Sequence, residues 1–179
     1  MVARLRPSYE QGVLTNGPLV AAFEAAVAER LQVPHAIAVS NCTSGLLLAL
    51  RVLELNGSAV MPSFTFSATA HAAAWNGLRP VFAECDPGTF HVDLADARDC
   101  LTASDDAAVL VATHVFGAPA PAVEAEVVAA AAGVPLVFDA AHALGALRQG
   151  RPVGGFGVAE VFSLSPTKPV VAGEGGVIT

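Results

Sequence analysis

Leu136-Val137-Phe138 is a short, uninterrupted apolar run, and Asp139-Ala140-Ala141-His142 follows it directly. A strand of this kind, apolar at every position, is covered on both faces. Six other segments read the same way: Ala36–Ser40, Ala59–Met61, Pro80–Ala83, Val109–Ala112, Ala159–Phe162 and Gly176–Thr179. Helical stretches lie between them. Leu19, Phe23, Val27 and Leu31 recur every four residues, with Glu24, Glu29 and Arg30 interspersed, an amphipathic pattern. Leu46–Leu55 is apolar nearly all round and predicts a helix buried on most sides; 65–76, 94–101 and 120–132 fill further gaps. Strands alternating with helices predict an α/β protein: three layers, α/β/α, around a mainly parallel seven-stranded sheet.

Composition narrows the class. The 179 residues suit one domain. With 54% hydrophobic and 14% charged residues, the chain is too apolar for disorder. No uncharged apolar stretch reaches the ~18 residues of a membrane span without interruption, and Met1–Glu10 lacks the apolar core of a secretory signal. The net charge of -7 and scattered arginines argue against nucleic acid as a partner. The three cysteines, Cys42, Cys85 and Cys100, show no CxxC spacing, so neither a disulfide framework nor a metal site is expected, and a reducing cytoplasm is. Nine basic residues are present, and the only lysine is Lys168.

In open α/β sheets, ligands bind beyond the carboxyl ends of the strands. Those ends carry Asn41–Ser44, Ser63–Phe66, His114–Gly117, Asp139–His142 and Ser163–Lys168. Asn41-Cys42-Thr43-Ser44-Gly45 joins a strand to a helix, where free N–H groups and the dipole favour an anion; an ordinary helix cap has the same composition. Gly154-Gly155-Phe156-Gly157 lacks the third glycine of a dinucleotide fingerprint and precedes a strand, which disfavours that kind of site. Asp139 places a carboxylate at the sheet centre, where it needs a cation or donor; a cap or a structural ion pair would also account for it. His142 could face the same cavity; a lone histidine with satisfied structural hydrogen bonds is the alternative. Lys168 sits where an amine can be desolvated into a nucleophile, which arginine could not become; an ordinary surface lysine is the alternative, weakened because this sequence uses arginine for its other basic residues. Gly173-Glu174-Gly175-Gly176 permits close backbone approach nearby. An imine-forming lysine, a ring-nitrogen acid, an anion cradle and a flat aromatic together describe the needs of pyridoxal 5′-phosphate.

From about Gly12 to Thr179 the sequence resembles the DegT/DnrJ/StrS family of sugar aminotransferases. The matching segments are Leu14–Pro18, Val39–Gly45, Pro62–Thr69, Pro80–Pro87, His114–Gly117, Asp139–Gly145, Phe162-Ser163, and Thr167-Lys168 with Gly173–Gly176 four residues on. The resemblance implies a fold-type I enzyme in which Lys168 holds the cofactor as a Schiff base and later acts as general base. It implies that Asp139 pairs with the ring nitrogen, His142 contacts the ring hydroxyl side, and Phe66 stacks on the ring. Thr43, Ser44 and Ser163 would bind the phosphate. Ser165 stands where the family often has histidine, and Pro169 directly follows the lysine.

The expectation is therefore a pyridoxal-phosphate-dependent aminotransferase. It would pass an amino group from glutamate or glutamine to a nucleotide-linked keto-sugar, as a cytoplasmic homodimer with its active site at the subunit interface. Residues 1–179 would form the cofactor-binding large domain, without the smaller carboxyl-terminal domain of the family. Two alternatives stand beside it. One is a sugar dehydratase on the same scaffold, against which Lys168 argues, since those relatives carry histidine there. The other is a truncated, non-catalytic copy serving only for binding or oligomerisation. Gly176–Thr179 is expected to be followed by a sheet edge with no helix to cover it, and the chain alone to self-associate.

Overall fold

The computed structural model describes residues 2–179. In chain order the elements are α1 (Val2–Gln11), α2 (Pro18–Leu31), β1 (Ile37–Val39), α3 (Cys42–Val52), β2 (Ser58–Pro62), α4 (Ser67–Trp75), β3 (Arg79–Ala83) and α5 (Leu94–Ala103). Then follow β4 (Ala107–Thr113), a single 3-10 turn at Val115–Gly117, α6 (Ala122–Ala132), β5 (Leu136–Asp139), β6 (Leu147–Arg148), β7 (Arg151–Pro152), β8 (Ala159–Ser163) and β9 (Gly176–Ile178). All seven expected strands join one sheet in the order β1-β9-β8-β5-β4-β2-β3, while β6 and β7 make a separate small hairpin. β5 is the central strand, so Asp139 does emerge at mid-sheet.

The strand period assigns each residue to a layer. Met61, Val111, Val137 and Val161 face α3 and α4. Val60, Leu110, Leu136 and Phe138 face α5 and α6. Phe162 and Val177 pack with Leu31 of α2 in a third cluster. Asp139, two residues beyond Val137, is thereby carried to the α3/α4 side.

Three expectations fail. α3 starts at Cys42 rather than Leu46, because the Asn41 side chain accepts from Ser44 N–H at 2.8 Å and caps the helix there. It is also not buried on most sides: Leu46, Ala49 and Leu50 are covered, but Leu48 is 49% and Val52 74% exposed. The helix has a sheet on one side and α4 beside it, which leaves an apolar outer face. Nor does the closing strand precede an edge. β9 runs antiparallel between β1 and β8, and the edges are β1 and β3. Entry of β9 between them depends on Gly176, where a Cβ would lie 2.7 Å from Asn41 C, 2.8 Å from Cys42 N and 2.9 Å from Phe162 O. Gly45 seats α3 on the sheet in the same way, with Val161 Cγ1 only 2.6 Å from where its Cβ would be.

Candidate active site

The carboxyl ends of β1, β2, β4, β5 and β8 converge on two adjoining cavities that share Phe66, Asp139, Ala141 and Lys168 as walls. One, of about 270 Å³, reaches the Asn41–Thr43 turn and Ser163. The other, of about 220 Å³, is closed by Thr113, Phe116 and His142. Ligand sites start at about 300 Å³, a size that the two reach only together. In a hollow of about 530 Å³ elsewhere, Asp86 accepts from Gly88 and Thr89 and Arg148 Nη2 pairs with Glu124 at 3.5 Å, while the buried Arg148 Nε has no hydrogen-bond partner among the described residues.

Asp139 is 3% exposed, and no cation is within ion-pair distance of it among the described residues. Its oxygens are met by donors instead. Thr69 O–H donates to Oδ2 at 2.7 Å and Ala141 N–H to Oδ1 at 3.1 Å, with the Cys42 thiol 3.9 Å from Oδ1. Burial, followed by the Asp139 charge, pushes the Cys42 thiol strongly up, so it remains protonated. No ion pair involving Asp139 forms among the described residues, and the Ala141 bond is a local turn contact of the kind a cap makes.

Lys168 lies in the long connection from β8 to β9. Its Nζ is 2.8 Å from His142 Nε2. Burial, and next the lysine charge, holds the His142 imidazole below its usual range, so the ring nitrogen facing Lys168 is an acceptor. The first turn of α3 offers N–H groups that have no partner within the helix. Ser163 Oγ donates to Ser165 Oγ at 3.3 Å, so Ser165 extends a polar edge of the larger cavity. Glu174 also lines the larger cavity, with a carboxylate oxygen near its neighbour's Gly175 N–H at 3.3 Å.

Thr43, Phe66, Asp139, Ser163 and Lys168 therefore share one cavity, and His142 closes the other. Ser44 is outside both linings; its N–H is taken by Asn41 and its hydroxyl accepts from Ser40 at 3.1 Å. Sequence reading assigned no role to Thr69 or Thr113, and placed Thr65 only within the strand-end stretch Ser63–Phe66. A lone threonine on the Ala68-Ala72-Ala73 face of α4 was the available signal. It also missed Glu160, which is fully buried on β8 and paired with His114 at 3.0 Å. A glutamate inside an apolar strand had marked that position. The cavity mouth carries a further unforeseen feature: Phe64, Phe90 and Phe116 cluster with ring centroids 5.4, 6.0 and 6.5 Å apart, all exposed.

The residues present fit pyridoxal 5′-phosphate. An amine, a buried carboxylate held by donors, an N–H-rich helix start and an exposed aromatic face one hollow, and the Gly176 contact fixes the helix start. No helix among the described residues is long and apolar enough to cross a membrane.

The family model described as the DegT/DnrJ/EryC1/StrS aminotransferase family matches residues 1–179. The spore coat polysaccharide biosynthesis protein SpsC of Bacillus subtilis (strain 168) is 34% identical over 180 residues, covering 99% of this chain and 46% of that protein. A UDP-N-acetyl-3-dehydro-alpha-D-glucosamine 3-aminotransferase of Acidithiobacillus ferrooxidans is 34% identical over 88% of this chain and 43% of its own length. The crystal structure of DesI in the presence of its TDP-sugar product superposes with a TM-score of 0.94 at 42% identity, covering 99% of this chain and 45% of DesI. The chain thus spans about half the length of the proteins it matches.

Proposed function

The chain belongs to the DegT/DnrJ/EryC1/StrS aminotransferase family, and on that premise we propose that it is the cofactor-binding large domain of a pyridoxal-phosphate-dependent aminotransferase acting on a nucleotide-linked keto-sugar. The observation that carries this reading is the placement of Lys168 Nζ, 2.8 Å from His142, across one hollow from the buried Asp139. The nucleotide-sugar part rests on two relatives, a UDP-sugar aminotransferase and a protein crystallised with its TDP-sugar product.

Each residue has a part in this reading. Lys168 Nζ is the covalent anchor; when free, it is placed to take and return a proton over the cavity centre. His142, unprotonated toward the lysine, accepts from Nζ and orients it. Asp139 supplies a fixed acceptor to a ring N–H, which keeps that proton in place. Phe66 offers a flat face at the rim. The α3 start, Thr43 and Ser163 hold a phosphate dianion by N–H and O–H donors. The bound cofactor supplies an electron sink for the carbanion formed beside the amino nitrogen. Glutamate or glutamine is the proposed donor, and a second copy of the protein the proposed partner, covering the exposed Phe64-Phe90-Phe116 rim. The three cysteines are unpaired, in keeping with a cytoplasmic location.

The test is an amino-transfer assay on the complete protein that contains this chain, with glutamate or glutamine and a nucleotide-linked 3-keto-sugar. Donor-dependent conversion of the ketone to the amine supports the reading. No conversion of any nucleotide-linked keto-sugar, with pyridoxal 5′-phosphate bound, would remove it.

A further inference from the structure

Three threonines meet behind Asp139, Thr65 and Thr69 from the β2–α4 connection and the first turn of α4, and Thr113 from the end of β4. Thr69 Oγ is 2.7 Å from Asp139 Oδ2, Thr65 Oγ is 2.8 Å from Thr69 Oγ, and Thr113 Oγ is 3.0 Å from Thr65 Oγ. Thr69 is 1% exposed, whereas Thr65 and Thr113 line the smaller cavity. We propose that these hydroxyls form a chain oriented in one direction, with Thr69 a positioning residue that fixes the edge Asp139 presents to the cavity. The proposal rests on the reading that Asp139 receives a ring N–H of pyridoxal 5′-phosphate.

The direction follows from hydrogen-bond valence. A carboxylate only accepts, so the Thr69 proton points at Asp139. A hydroxyl has one proton, so Thr69 must accept from Thr65, and Thr65 in turn from Thr113. Every O–H dipole then points toward Asp139, and each bond polarises the next. Oδ2 is held by this chain while Oδ1 is held by Ala141 N–H, so rotation of the carboxylate is stopped from both sides. At the other end, Thr113 has spent its proton and offers the cavity a lone pair. The wall beside Asp139 therefore presents an acceptor at Thr113, suited to a donor on the occupant.

The experiment compares wild type, Thr69→Val, Thr69→Ser and Thr65→Val in the complete protein. Two quantities are read: the Kd for pyridoxal 5′-phosphate, and the pH at which the visible band of the bound cofactor changes. Valine keeps the shape of threonine and deletes the donor to a charged group, so Thr69→Val should raise Kd about tenfold and move the spectral pH. Thr69→Ser should restore both to near wild type. Thr65→Val, which leaves the Thr69 proton but removes its polarising partner, should shift both in the same direction by a smaller factor. It also carries the test should Thr69→Val not fold. Valine behaving as wild type, or serine failing to rescue, would overturn the chain as a positioning device. If wild type itself shows neither binding nor a visible band, the cofactor reading falls first and the chain with it.

Discussion

Replacing Glu160 by glutamine changes one atom of a fully buried network and cannot be accommodated without losing a hydrogen bond. Glu160 Oε1 accepts from Gly154 N–H at 2.8 Å and Phe156 N–H at 2.7 Å, and Oε2 meets His114 Nε2 at 3.0 Å. His114 Nδ1 accepts from Ala120 N–H at 2.9 Å, so the ring proton that faces Glu160 is on Nε2. A glutamine can give its oxygen to the two backbone donors, but its NH₂ then confronts the His114 N–H. Switching the imidazole tautomer only moves the conflict to Ala120. One buried N–H is stranded either way, at a cost of about 1–3 kcal/mol. At about 2–4 °C per kcal/mol for a domain of this size, a mid-range loss of about 2 kcal/mol lowers Tm by about 4–8 °C. Glu160→Ala strands three N–H groups and should cost more, roughly 3–5 kcal/mol. Urea unfolding is the assay: the midpoint should fall with the slope unchanged. A Glu160→Gln protein within about 0.5 kcal/mol of wild type would refute the donor count on which this reasoning stands.

Gly176→Ala should push β9 off the Asn41–Cys42 turn, because every atom its Cβ would strike belongs to backbone. A loss of about 1–3 kcal/mol is expected, with weaker pyridoxal 5′-phosphate binding in a titration; unchanged affinity would show that the α3 start does not hold the phosphate. Acid should destabilise the protein early. Burial holds both His142 and His91 below the usual value of about 6.5, so the unfolded chain binds more protons than the folded one as pH drops below that point. Stability is complete above about pH 6.5 and declines beneath it. Substituting both histidines by asparagine should flatten that part of the denaturation profile, and a profile unaltered between pH 7 and 5 would contradict the assignment.

Most of the layer structure was legible because the strands are apolar on both faces, and such runs as Leu136–Phe138 have few other homes. The strand-end rule then gathered Asp139, His142 and Lys168 without any knowledge of their contacts. What stayed hidden was relational. An apolar strand of three residues carries no mark of direction, so the reversal of β9 was invisible. The start of α3 was misplaced because a single side-chain bond from Asn41 outweighed the hydrophobic pattern that begins at Leu46. Thr69 and Glu160 were passed over for one reason: each is a polar residue within an apolar element. Its meaning comes from a partner 70 residues away in the first case and 46 in the second. An isolated polar residue in a buried period was itself the legible sign that a partner existed.

The central claim is that Lys168 anchors pyridoxal 5′-phosphate. The direct measurement is borohydride reduction of the complete protein incubated with the cofactor, followed by peptide mapping by mass spectrometry. The account predicts a yellow complex whose reduced adduct lies on the peptide containing Lys168, and its absence in Lys168→Ala. An adduct confined to the terminal amine, or a visible band that persists in Lys168→Ala, would contradict it.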